Sequence, residues 1–130
     1  MTAVKVVDAS ALGSILFGEP SMDTVAARLR DAVLVAPNLL GYEIANICLK
    51  KMRENSAKRV EILLQFGKLE KIGIELVEID FSGLPQFAAE FGLTSYDASY
   101  LWLAWQLDAE LVTLDRRLAR AASALPPPGD

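Results

Sequence analysis

Four short β-branched runs, each separated from the next by helical stretches, constrain this chain more than any other feature. Val4-Lys5-Val6-Val7 stops at Asp8, and Val33-Leu34-Val35 is closed by Pro37. Ile74 to Ile79 sets Ile, Leu, Val and Ile among Glu75, Glu78 and Asp80, while Leu111-Val112-Thr113-Leu114 runs into Asp115. Runs of this kind read as strands. Between the first two, Ser10–Phe17 reads as a short helix ended by Gly18 and Pro20, and from Ser21 the residues Met22, Val25, Ala26 and Leu29 fall on one helix face. Leu39 to about Glu54 and Ser56–Ile72 read as two helices broken at Asn55, and Gly83–Phe91 as a third that Gly92 ends. Ser95 opens an apolar helix with Ala98, Leu101, Trp102 and Trp105 on one face and Leu103, Ala104 and Leu107 on the other, so it is expected to be buried on most sides. Arg116–Ala124 forms the last helix. Strands alternating with helices predict an α/β fold, a three-layer α/β/α domain around a mostly parallel sheet. Right-handed crossovers then put every strand's carboxyl end on one edge, where such folds bind their ligands.

At 130 residues the chain suits one domain, expected over 1–125, with Pro126-Pro127-Pro128-Gly129-Asp130 as a frayed tail. With 52% hydrophobic residues it is too apolar for disorder, and it holds no apolar run long enough to span a bilayer. Histidine is absent, which excludes Ser-His-Asp and Cys-His catalysis and His-ligated zinc. Cys48 is the sole cysteine, on the apolar arc of its helix, and reads as a small buried hydrophobe. No basic segment and long apolar stretch follow Met1, so a cytoplasmic protein without membrane association is expected. The net charge of -4 argues against simple coating of nucleic acid, but charge is segregated. Lys50 to Lys71 carries seven bases against three acids, and the rest of the chain six bases against fourteen acids.

The acids fall where chemistry is expected. Asp8 and Asp115 end the first and fourth strands, and Asp97 lies in the first turn of the apolar helix beside the same edge. Glu43 shares a helix stripe with Asn46, Lys50 and Arg53. Each acid alone has an ordinary explanation as a helix cap or a solvated face. Together they repel, since two carboxylates at 4 Å cost about 4 kcal/mol at an effective dielectric near 20. Protonation or a cation must offset that. All-oxygen ligands favour Mg²⁺ or Mn²⁺ over zinc, and an acidic pocket holding such an ion suits phosphodiester cleavage.

Val7-Asp8-Ala9-Ser10-Ala11-Leu12, Tyr42-Glu43-Ile44-Ala45-Asn46, Leu93-Thr94-Ser95-Tyr96-Asp97-Ala98 and Val112-Thr113-Leu114-Asp115-Arg116-Arg117-Leu118 resemble the four signature segments of PIN domains. The likeness is greatest to the small ribonuclease toxins of the VapBC toxin–antitoxin type. It implies that Asp8, Glu43, Asp97 and Asp115 form a catalytic, metal-binding quartet, that Ser10 and Thr113 support Asp8 and Asp115, and that Asn46 is the amide one turn beyond the glutamate. It further implies endonucleolytic hydrolysis of RNA with Mg²⁺ or Mn²⁺, a homodimer, and a cognate antitoxin that silences the enzyme. Glu43 and Asp97 are both open as general base, and one metal or two are both open.

Lys50, Arg53, Lys58 and Arg59, with Arg116 and Arg117 beside Asp115, are candidates for an RNA phosphate path, against the alternative of an ordinary solvated surface. Tyr42 and Tyr96 flank two of the acids and are expected to be packing residues rather than base platforms, with Trp102 and Trp105 as core or dimer residues. The apolar second faces around Ile62, Phe66 and Leu69 leave room for a dimer without fixing its geometry. Two other readings are open: an aspartyl-phosphate phosphatase or receiver-like switch acting through Asp8, and a non-catalytic partner-binding domain. Against the first, the position two residues after Asp8 is Ser10, where a phosphatase of that type carries a second acid.

Overall fold

The protein is described by a computed structural model over residues 2–126. Its elements run β1 (Val4–Val7), α1 (Ala9–Leu16), α2 (Met22–Leu29), β2 (Val33–Pro37), α3 (Leu40–Glu54), α4 (Arg59–Gly67), β3 (Glu75–Val77), α5 (Leu84–Phe91), α6 (Ser95–Leu107), β4 (Glu110–Val112) and α7 (Arg116–Ser123). The four strands form one parallel sheet in the order β3-β2-β1-β4. In register, Val6 lies beside Val35 on one side and Leu111 on the other, and Pro37 beside Val77.

The predicted single helix over Ser56–Ile72 is instead a 3-10 turn at Ser56–Lys58, the α4 helix, and a second 3-10 turn at Lys68–Lys71. The strand expected over Ile74–Ile79 pairs only across Glu75–Val77, at the edge of the sheet, where one row of backbone groups has no partner strand. Of the tail, the Pro126 carbonyl accepts from the Trp105 indole at 3.1 Å, and 127–130 lie outside the described residues.

The chain steps from β1 to β2 to β3 in one direction, then crosses back to place β4 on the free side of β1. Right-handed connections of opposite direction leave α1–α4 on one face and α5 and α6 on the other. Packing agrees: α1 lies on α2 and α3, and α3 on α4, while α6 lies on α5 and α7 and across β1 and β2. Val6, Val7, Leu12, Ile44, Leu101, Val112 and Leu118 are buried where these layers meet. Cys48 is buried among them, as expected. The apolar side of α4 and the following turn, which left room for a dimer, points inward: Ile62 is buried, and Phe66 and Leu69 pack on the main core. Val60, Leu63 and Leu64 are the large apolar residues that α4 leaves exposed. The α6 helix is buried along Ala98–Leu101, Leu103 and Ala104, but its last turn emerges and Leu107 is exposed. Among the described residues no helix is long and apolar enough to cross a membrane.

Reversal of direction beside β1 makes the carboxyl ends of β1 and β4 a topological switch point, the place where folds of this class bind their ligands. Gly92, in the left-handed conformation at φ 65°, ends α5 and turns the chain so that α6 starts at the same edge. Leu12→Ala is expected to cost about 2–5 kcal/mol in urea unfolding, and the exposed Leu64→Ala within about 0.5 kcal/mol.

Candidate active site

Asp8 lies one residue past β1 and caps α1, so the same side chain ends a strand and starts a helix. It is 5% exposed, and donors surround it. Ser10 Oγ at 2.7 Å and the Ala11 N–H at 2.9 Å donate to Oδ1, and Thr113 Oγ1 donates to Oδ2. The two hydroxyls are themselves oriented: the Leu114 N–H donates to Ser10 Oγ and the Asp115 N–H to Thr113 Oγ1, both at 3.0 Å. Asp115 caps α7, its Oδ1 accepting from the N–H groups of Arg117 at 2.9 Å and Leu118 at 3.3 Å. Each cap contributes about 1 kcal/mol.

Asp97 sits in the first turn of α6, where Thr94 is the cap and its Oγ1 accepts from the Asp97 N–H at 3.1 Å. Glu43 comes from the first turn of α3, half-buried, and its Oε1 accepts from the Tyr100 hydroxyl at 2.6 Å. Tyr100 is 1% exposed and was not singled out in the sequence. The available signal was its spacing: it stands three residues after Asp97, on the same face of α6.

The four carboxylates feel one another. Burial raises the Asp8 carboxyl above its ordinary value, and the charge of Asp115 adds to this, while the bonds from Thr113, Ala11 and Ser10 oppose it. Burial also raises Glu43, opposed by the Tyr100 bond and reinforced by Asp97 and Asp8. For Asp97, burial and then Asp115 raise the carboxyl, against Thr94 and the charge of Arg117. Burial and the facing Glu43 hold the Tyr100 phenol protonated as a donor, far above its ordinary value. Among the described residues none of the four acids has a Lys or Arg within 4.0 Å.

The donor set is all oxygen, which matches a hard divalent cation. Among the described residues, however, no three His, Cys, Asp or Glu side chains stand close enough to clasp an ion together. A cation here would therefore complete its shell with waters, as Mg²⁺ commonly does.

The basic candidates separate into two groups. Arg116 and Arg117 open α7 next to Asp115, and the Arg117 guanidinium donates to the Gly92 carbonyl. Lys50 and Arg53 lie toward the far end of α3, with Lys58 and Arg59 just beyond; Arg53 is about 15 Å along the axis from Glu43. Lys50 is shared with Glu54 at 4.0 Å. Asn46 is exposed one turn past Glu43. Tyr42 and Tyr96, expected to pack, are instead exposed, because each occupies a helix-start position that faces away from the core.

Residues 5–124 match the PIN domain family, and the chain belongs to it. Over 132 residues the chain is 32% identical to Ribonuclease VapC3 of Pyrobaculum aerophilum, an alignment covering 95% of this chain and 98% of that protein. The fold is also similar to the crystal structure of PAE2754 from the same organism, with a TM-score of 0.76 and 26% identity over 98% of this chain and 90% of that one.

Raised carboxyls have a consequence for stability. The native state binds protons at Asp8, Glu43 and Asp97 more tightly than the unfolded chain does. Their favourable contribution is present below the ordinary carboxylate range of about 4 and is lost as pH rises through the raised values. In chelator at about pH 7, Glu43→Gln should therefore melt above the parent, and the gap should close as pH falls below about 4. A variant that melts below the parent at about pH 7 would contradict the destabilisation of the Glu43 carboxylate by burial and its acidic neighbours.

Proposed function

We propose that this chain is a Mg²⁺- or Mn²⁺-dependent endoribonuclease, acting as one domain over residues 1–125 and serving as the toxin of a toxin–antitoxin pair. The observation that carries this reading is the convergence of Asp8, Glu43, Asp97 and Asp115 at one sheet edge, each of the first three made less acidic by burial and by an acidic neighbour. Membership of the PIN-domain family and likeness to a protein named Ribonuclease VapC3 support it. The same likeness supports a cognate antitoxin, a homodimer and a cytoplasmic site of action.

Asp8, Asp97 and Asp115, with Glu43 directly or through water, would hold the cation. A bound Mg²⁺ or Mn²⁺ supplies a more acidic water and charge neutralisation at a phosphodiester. Ser10 and Thr113 fix both oxygens of Asp8, so that carboxylate is aimed before any substrate arrives. Tyr100 fixes one oxygen of Glu43 from the core side and leaves the other free for a cation or a water. Glu43 and Asp97 have the raised proton affinity needed to take a proton from an attacking water. Arg116 and Arg117 are placed to meet RNA phosphates beside Asp115, while Lys50, Arg53, Lys58 and Arg59 would extend the path only for a longer strand. The engagement of both Asp8 oxygens weighs against a phospho-accepting role for that residue.

Purified protein incubated with a mixed, structured RNA pool should cut it with Mg²⁺ or Mn²⁺ and not in chelator. Asp8→Asn and Asp97→Asn should each lower cutting by at least about a hundredfold while retaining the fold. An Asp8→Asn protein that cuts like the parent would overturn the site assignment.

A further inference from the structure

The carboxylates leave a second feature of the same edge unused. A cleft of about 770 Å³ lies over the carboxyl ends of β2 and β3, walled largely by carbon from Pro37, Leu39, Tyr42, Phe81, Leu84 and Tyr96. Its three aromatic rings belong to residues that are 83% (Tyr42), 76% (Phe81) and 67% (Tyr96) exposed. Large apolar surface held open to water around one concavity marks a binding surface. Its volume is within the range of about 300–1,000 Å³ seen for ligand sites.

The cleft is joined to the acids through the first turns of α3 and α6. Tyr42 immediately precedes Glu43, Tyr96 immediately precedes Asp97, and the cleft residue Thr94 is hydrogen-bonded to the Asp97 N–H at 3.1 Å. A molecule bridging the two regions must present something anionic-phosphate-like to a cation at the acids and something flat and uncharged to the aromatic rings. The lining holds no Lys or Arg, and its one carboxylate, Glu78, would repel a phosphate. Asn38, Ser95 and Glu78 on the rim offer hydrogen-bonding partners to the edge of a ring. A nucleotide has this division of character.

We propose that the cleft lined by Tyr42, Phe81 and Tyr96 is a nucleobase subsite, taking an unpaired base whose neighbouring phosphate lies at the acids. The inference rests on the ribonuclease reading and deepens it. Stacking on exposed rings tolerates any base, and the rim then adjusts preference among them.

The test uses the full chain carrying Asp8→Asn, so that RNA is not consumed, and a fluorescein-labelled single-stranded RNA hexamer read by anisotropy. Adding Tyr96→Ala or Phe81→Ala should weaken binding by about tenfold, within the range that loss of one base–aromatic stack produces. Tyr96→Phe, which keeps the ring, should bind like the parent. A hexamer of the same backbone lacking bases should bind the parent and the Tyr96→Ala protein equally. Unchanged hexamer affinity in both alanine variants would overturn the subsite. So would a shift of either variant from dimer to monomer in sedimentation, which would make the cleft a face for a second copy of this chain. The nuclease reading is checked separately with the unmutated chain and Mn²⁺. If that chain cuts RNA and Tyr96→Ala leaves KM unchanged, the subsite fails and the nuclease stands. If it cuts no RNA at all, both fail.

Discussion

A carboxylate buried at the end of a central strand must be surrounded by donors, and the way this chain supplies them joins its first and last segments. Asp8 takes its hydrogen bonds from Ser10 and Ala11 in the first turn of α1 and from Thr113 just beyond β4. Ser10 and Thr113 in turn accept the N–H groups of Leu114 and Asp115, which fixes the short link into α7. The aim of Asp115 and the start of two helices both depend on this cluster. An Asp at position 8 is thus both a structural hub and the innermost carboxylate of the edge, and these two roles constrain it in the same direction.

Burying carboxylates at one edge works against stability, and Asp8, Glu43 and Asp97 are all held above their ordinary values by burial first and by acidic neighbours second. The fold carries this cost with hydrogen bonds that hold the carboxylates of Asp8, Glu43 and Asp115 in place without supplying a counter-charge. Thr94 tethers the backbone of Asp97, and Tyr100, itself sunk in the core, grips Glu43. Only Arg117 eases the repulsion, and only at Asp97. A cation held here would meet an Asp8 carboxylate already fixed at both oxygens and a Glu43 carboxylate fixed at one. Beside it, the aromatic cleft is the reverse in character, uncharged over most of its wall and open to solvent.

Much of this was legible in the sequence. The β-branched runs, the helix stripes and the Gly and Pro stops define the strand–helix alternation, and parallel topology then carries Asp8, Asp97 and Asp115 to one edge. Ser10 and Thr113 were legible only through the resemblance of their segments. What the sequence concealed has physical reasons. The break in Ser56–Ile72 leaves no Gly or Pro before residue 67 to mark it, and the register of 3-10 turns is invisible to a periodicity of 3.6. Ile62, Phe66 and Leu69 look the same whether they face a partner or their own core, since burial depends on where the sheet lies. Tyr42 and Tyr96 carry no mark of exposure, because aromatics at helix starts pack or protrude according to the loops around them. Tyr100 was hidden by an apolar helix whose hydroxyl looked incidental until Glu43 arrived beside it from α3.

The central claim is that a divalent cation belongs among Asp8, Glu43, Asp97 and Asp115. Anomalous diffraction at the manganese edge from crystals soaked in Mn²⁺ tests it most directly. A peak lying between the carboxylates of Asp8, Asp97 and Asp115, with Glu43 touching it or one water away, is the predicted result. Fully occupied crystals with manganese only elsewhere, or none at this edge at saturating Mn²⁺, would contradict the account.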